Sequence, residues 1–411
     1  MLLLLALLLQ EGPVEKYLVE KDKAARGRLL SEIRLPVAEV EVELRKPPKR
    51  PTVDAKGQIV KKRIKNQHPL GTEFEYVLWV PADYTPDKTW RLIVSLHGQS
   101  GNGDQFIRNW LADVQKDGAT FLLCPSAARG GWGGSLLGHH HVLDPLRDVM
   151  AAYAIDRDQV YIDGASMGGN GSFQFACHYP DLFAGAAPRA GGPMFRQASK
   201  DDKNVTAEGV ENLMATPLYW VVGAKDAEVN NVWVKTAKGQ IDALKSDFTF
   251  KEFPDGGHEW FPQENAAVMA WMGTKKRDAY PARVAIDTNE RAFNRNFWLE
   301  VAEYAGKENL KRGYKDFDGK VLEERLLFFE HAHVKAELLT ETNEIKISAT
   351  GAREIRVYLH EKMVDMTKPV TVTVNGSKSK FDVKPSLETL MESARRDRGL
   401  LYTASVKVRV P

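Results

Sequence analysis

The chain has 411 residues, 43% of them hydrophobic and 27% charged, a globular composition long enough for two domains or one large domain with a satellite. Its 57 basic and 55 acidic residues leave a formal net charge of +2, and no run of like charge marks a nucleic-acid partner or an anionic membrane surface. Two cysteines, Cys124 and Cys177, cannot build a disulfide framework, and their apolar surroundings read as buried free thiols rather than a bridge.

Residues 1–10 form an apolar run too short to span a bilayer. The run reads as the hydrophobic part of a signal peptide, although a basic n-region and an A-x-A cleavage site are both missing. The expected localisation is therefore secreted or periplasmic, with cytoplasmic as the alternative. No other stretch is apolar enough to cross a membrane. Residues 11–72 read as a surface helix over 15–34, an edge strand over 37–44, where apolar and acidic residues alternate, and a proline-rich connector over 46–51.

From residue 73 strands and helices alternate, which is the signature of an α/β fold. Strands are expected over 74–81, 91–96, 120–124, 159–163, 183–187, 218–222 and 249–253. Helices are expected over 106–114, 144–153, 173–178, 232–244 and 266–272. Glycine-rich loops follow the strands at 97–103, 126–138, 189–193 and 255–258. Beyond about residue 275 the rhythm changes to short alternating strands, over 343–350, 354–359 and 402–410. The strand 370–374 runs into Asn375-Gly376, a strong hairpin signal. One helix, 387–398, interrupts them. We read residues 73–275 as one α/β domain and 276–411 as a small β-sandwich-like accessory domain.

The sequence Gly164-Ala165-Ser166-Met167-Gly168 joins an apolar strand directly to a helix-like stretch. This is the context of a G-x-S-x-G nucleophile elbow, in which glycines two before and two after the serine relieve the clash of a tight turn. A serine hydroxyl is a weak nucleophile. It needs a base, a group to orient that base, and donors for a developing oxyanion. Functional groups in open α/β sheets gather at the carboxyl ends of strands. Only His97 and His258 of the ten histidines lie just past such an end in the α/β part. His97 sits in a glycine loop whose backbone is the useful part, so His258, on the loop after the last strand, is the expected base. Asp226 is the expected orienting acid, with Glu228 the alternative two positions later. The order Ser, acid, His then matches that of α/β-hydrolases. The backbone N–H groups of Met167 and Gln99 are the expected oxyanion donors.

The region 73–275 resembles α/β-hydrolases of the esterase type. It is similar to the polyhydroxybutyrate-depolymerase and feruloyl-esterase group, and to predicted peptidases of the prolyl-oligopeptidase type. The residues that carry the likeness are Leu96-His97-Gly98, Gly164 to Gly169, Tyr179-Pro180-Asp181-Leu182-Phe183-Ala184, Gly223 to Asp226 and Gly257-His258. The resemblance covers about half of the chain. It implies a mostly parallel sheet with helices on both faces, a Ser-Asp-His triad and an acyl-enzyme formed on a small-molecule or polymeric ester, less often on an amide.

His97, Trp132, Gly191 and Trp260 are candidate walls of a substrate pocket. His139-His140-His141 reads as a polar loop, and His331 with His333 would share one strand face, but neither group closes a metal site. No phosphate loop or dinucleotide fingerprint appears, so no cofactor is expected. Three functions stay open at this point: a serine ester hydrolase, a serine peptidase on the same residues, and a polysaccharide or cell-surface binding protein with a vestigial hydrolase domain.

Overall fold

In the strand Trp90–Leu96, Leu92, Val94 and Leu96 enter one hydrophobic core while Ile93, between them, enters another. The same split separates Val160 and Ile162 from Tyr161 in the strand that precedes the serine. A period of two with both faces apolar requires a sheet covered by helices on each side. The computed structural model has this arrangement, and it describes residues 12–46, 55–68, 71, 73–127, 131–132, 136–197, 205–229, 231–306, 308–315 and 321–411. The apolar run 1–10 and connector residues 47–51 lie outside the described residues, as do 128–130 and 133–135 of the glycine-rich loop.

The main sheet has eight strands: β1 (Gln58–Lys65), β2 (Glu73–Val80), β3 (Trp90–Leu96), β4 (Thr120–Pro125), β5 (Ile155–Ala165), β6 (Gly185–Arg189), β9 (Leu218–Gly223) and β10 (Phe248–Phe253). Between β6 and β9 the chain forms a separate hairpin of β7 (Phe195–Gln197) and β8 (Val205–Ala207). The sheet order is β1-β2-β4-β3-β5-β6-β9-β10. Only the β1–β2 and β2–β4 pairings are antiparallel, so the last six strands in that order run the same way. The helices Leu136–Ala152, Met167–His178 and Asn231–Leu244 cover one face. Arg108–Asp117 and Asn265–Thr274 cover the other.

The remaining strands form two further sheets. One contains β11 (Arg283–Glu290), β14 (Glu308–Lys315), β15 (Val321–Leu339), β16 (Glu344–Thr350), β18 (Val370–Val374) and β19 (Ser377–Phe381). The other contains β12 (Arg295–Asn296), β13 (Leu299–Tyr304), β17 (Ala352–Leu359) and β20 (Ala404–Arg409). Val284, Val334, Ile345 and Val372 from the first meet Leu299, Ile355, Val357 and Val408 from the second in a single core. The hairpin at Asn375-Gly376 has both residues at positive φ, 47° and 86°, which suits a tight two-residue turn between β18 and β19. Strands β11 to β14, over 283–315, are not anticipated by the sequence pattern, and of β15 only the strand face shared by His331 and His333 is.

The expected edge strand over 37–44 is instead the helix Val37–Arg45. Its alternating pattern does not decide the matter, because among the described residues no strand pairs with it. Val40 and Leu44, one helical turn apart, are buried with Tyr17 and Ile33 against Leu390, Met391 and Ala394 of the helix Leu387–Arg396, while Val42 stays exposed. The histidine run is likewise not a loop. His139, His140 and His141 lie within the helix Leu136–Ala152 and turn to different partners: His139 to the Tyr179 hydroxyl, His140 to Asp144, His141 to the edge of Phe74. Among the described residues, no helix is long and apolar enough to cross a membrane.

Candidate active site

The parallel strands β5, β9 and β10 end on one edge of the sheet, and a loop or turn after each carries one polar side chain toward a common point. Ser166 is the first residue beyond β5 and sits at φ 58°, ψ −120°, a conformation costly for a non-glycine residue. The surroundings hold it there. Its N–H donates to the Arg189 carbonyl at 3.0 Å, and its carbonyl accepts the Asn170 N–H at 2.9 Å. A Cβ at Gly168 would lie 1.9 Å from the Leu96 carbonyl oxygen, and one at Gly164 would lie 2.4 Å from the Gly168 carbonyl oxygen. Only glycine fits at either place.

The loops after β9 and β10 are joined by Ala224 N–H to Phe253 O and Lys225 N–H to Gly256 O, each 2.9 Å. This pairing brings Asp226 beside His258. His258 Nδ1 donates to Asp226 Oδ2 at 2.9 Å, and His258 Nε2 accepts the Ser166 hydroxyl at 2.7 Å. The other oxygen of Asp226, Oδ1, accepts the backbone N–H groups of Glu228 and Val229 at 2.8 and 3.0 Å. Asp226 is buried, and with a carboxylate on Nδ1 the free lone pair of the imidazole faces the serine. Glu228 also reaches the imidazole, but at Nε2, 3.4 Å away, with 71% of its side chain exposed. Chemically, the group can take a proton from a hydroxyl nucleophile and return it to a leaving group.

The turn His97-Gly98-Gln99 lies against the serine: a Cβ at Gly98 would be 3.5 Å from Ser166 Cβ. Met167 opens the helix Met167–His178, so its N–H is one of the groups at the positive helix end. Gln99 is exposed in that turn.

The expected pocket residues mostly have other work. His97 is buried, with Nε2 accepting the Ala127 N–H at 3.0 Å and Nδ1 donating to the Gly98 carbonyl at 2.7 Å; burial pushes its pKa below the usual histidine range. Trp132 is 1% exposed, donates to the His97 carbonyl at 2.9 Å, and packs under Gly171 of the elbow helix. Gly191 is buried, and a Cβ there would lie 2.7 Å from the Asn170 nitrogen. These three support the elbow from behind and do not form an open wall. Trp260 is half-buried against Phe106 and Trp110, with ring centroids 5.2 and 5.9 Å apart.

A buried brace that sequence reasoning missed connects the two sides of this site. Arg189, fully buried at the end of β6, offers its carbonyl to Ser166 and its guanidinium to the loop beyond His258. Its Nη1 donates to Asn265 Oδ1 at 2.6 Å, Phe261 O at 3.2 Å and Trp260 O at 3.3 Å, and the guanidinium lies 4.0 Å from the Trp260 ring centroid. Burial lowers the Arg189 pKa to about 10, which leaves it charged at neutral pH. Asp163, 3.9 Å away, is raised by burial to about 6 despite that neighbour and accepts the Trp110 indole N–H at 2.7 Å. The sequence signal is an arginine closing an otherwise apolar strand. Among the described residues, one group, Glu41, His360 and Glu361, brings three possible metal-ligand atoms within 4.8 Å. Its Glu41 already accepts from His360 at 3.0 Å and from Arg45 Nε at 2.8 Å, so a cation there would displace a guanidinium.

No protein-family model matches the chain. Over 223 residues it is 25% identical to a probable feruloyl esterase C of Aspergillus clavatus, covering 49% of this chain and 82% of that protein. Over 142 residues it is 32% identical to a poly(3-hydroxybutyrate) depolymerase of Ralstonia pickettii, covering 29% of each. The solved structure of a thermostable esterase aligns with a TM-score of 0.45 at 23% identity, over 53% of this chain and 63% of the other. The mostly parallel eight-stranded sheet with helices on both faces is an α/β fold, and over about half of its length the chain is similar to esterases.

Proposed function

We propose that the chain cleaves carboxylic esters through an acyl-enzyme, with Ser166 as nucleophile, His258 as general base and then acid, and Asp226 holding the imidazole tautomer. The observation that carries this reading is the continuous hydrogen-bond path from Ser166 Oγ through His258 to Asp226, 2.7 and 2.9 Å. Attack by Ser166 forms a tetrahedral intermediate as His258 takes the hydroxyl proton. Collapse expels the alcohol, which takes that proton from Nε2, and water then repeats the sequence on the acyl-serine. The oxyanion is assigned to the N–H groups of Met167 and Gln99, supported by the helix start at Met167 and by the approach of the 97–99 turn to Ser166. The names of the relatives support two substrate classes, feruloyl esters and poly(3-hydroxyalkanoates).

The test has two arms. A fluorophosphonate probe is expected to label the wild type and not Ser166→Ala; equal labelling of both overturns the nucleophile. Turnover of acetyl, feruloyl and poly(3-hydroxybutyrate) substrates, run beside peptide amides, is expected to fall on esters. A preference for amides replaces the esterase reading with the peptidase.

A further inference from the structure

We propose that Glu228 sets the charge preference of this enzyme for the alcohol half of its ester, favouring cationic over anionic leaving groups. The inference rests on the hydrolase reading above. Glu228 follows Asp226 by two residues, and its backbone N–H is tied to Asp226 Oδ1. That turn sends the Glu228 side chain to the other nitrogen of His258, where Oε2 lies 3.4 Å from Nε2. Nε2 is the atom that must hand a proton to the departing alkoxide, and a leaving oxygen has to come within about 3 Å of it. The carboxylate and the alcohol therefore share one imidazole nitrogen, which puts the first atoms of the alcohol roughly 3–6 Å from the charge. The acyl carbon, bonded to Ser166 Oγ, is on the far side of that nitrogen's hydrogen bond.

Among the described residues, no Lys or Arg side chain pairs with Glu228. Asp226 is consumed by its three hydrogen bonds, and Lys225, the nearest cation in the chain, pairs with Asp255. Among the described residues, the one ionic partner of Glu228 is His258. Because the side chain is mostly exposed, the interaction belongs to the water-screened limit, where a unit charge at this range changes a rate constant about three- to fivefold.

Three acetate esters of similar shape test this by pH-stat: 3,3-dimethylbutyl acetate (neutral), acetylcholine (cationic) and acetylisethionate (anionic). The expected order of kcat/KM in the wild type is choline, dimethylbutyl, isethionate, with the outer pair differing by about tenfold. Glu228→Gln is expected to bring the charged-to-neutral ratios close to one, and Glu228→Lys to invert them. In 1 M salt, where the screening length is about 3 Å, the wild-type ratios should also contract. Wild-type ratios already near one, or ratios that survive Glu228→Gln, overturn the role of Glu228. Absence of hydrolysis of all three esters, or equal rates with Ser166→Ala, overturns the hydrolase reading instead.

Discussion

Asp226 Oδ1 accepts the backbone N–H of Glu228 at 2.8 Å, so the two candidate acids of this site are parts of one turn that delivers them to opposite nitrogens of His258. The buried aspartate takes Nδ1 and the exposed glutamate reaches Nε2. Their substitutions should therefore have very different consequences.

Asp226→Asn keeps the shape of the turn but can present an amide N–H to Nδ1, which favours the tautomer that cannot accept the serine proton. The expected loss in kcat on a neutral p-nitrophenyl ester is on the order of 10⁴-fold, the size of this effect in other serine hydrolases. Glu228→Gln should cost far less on the same substrate. Steady-state kinetics of the two variants give the ranking, and the reverse order would move the orienting acid to Glu228.

The two glycines of the elbow are a steric requirement. With a Cβ at position 168 lying 1.9 Å from the Leu96 carbonyl oxygen, Gly168→Ala must displace either β3 or the serine. We expect a loss of about 3 kcal/mol or more in stability, together with loss of probe labelling at Ser166. Gly239, inside the helix Asn231–Leu244, makes the contrast, since a Cβ added there would meet nothing within 4 Å. Gly239→Ala should raise stability by about 0.5–1 kcal/mol. Urea unfolding of both variants distinguishes a steric effect from a general intolerance of substitution.

Asp397 connects the helix Leu387–Arg396 to the segment between the two halves of the chain. Arg277 donates to Asp397 at 2.6 Å and to Asp158 at 2.8 Å. Burial alone would raise the Asp397 pKa, but Arg277 and Arg157 hold it down at about 2. An unfolded aspartate titrates near about 3.9, so the folded state holds fewer protons in between. The resulting stabilisation is complete above about pH 5 and is lost as pH falls toward 2, an effect of about 2–3 kcal/mol. The drop in unfolding free energy between pH 5 and pH 2.5 should be smaller in Asp397→Asn than in the wild type; identical pH dependence would show that the pair does not titrate in this way.

Cys124 and Cys177 are both free and buried, and burial raises both thiols well above the usual range. Thiolate is the reactive form, so neither should react with iodoacetamide in the native protein at pH 8, and both should react after unfolding in urea. Labelling followed by mass spectrometry would detect two added groups only in the second case.

Local sequence was enough to place the elbow. Gly164 and Gly168 flank Ser166, an apolar strand precedes it and a helix follows, and each is a short-range preference that the tertiary structure reinforces. The order Ser166, Asp226, His258 was legible because parallel strands end on the same edge, so strand ends converge wherever the sheet is built. Sequence pattern failed where long-range contact decides the conformation. Residues 37–45 alternate like a strand yet form a helix, because Leu390 and Met391, from the other end of the chain, supply the surface that buries Val40 and Leu44.

The sequence by itself thus determined the turn around Ser166 and the strand-end places of Asp226 and His258, on which the proposed chemistry rests. Only the tertiary structure decided which nitrogen of His258 each acid meets. It also showed that Arg189 braces the serine and the histidine loop from below, and that His97 and Trp132 are buried supports. These are relations between loops distant in sequence. They depend on side-chain direction and burial, and nothing in the spacing of residues along the chain encodes either one.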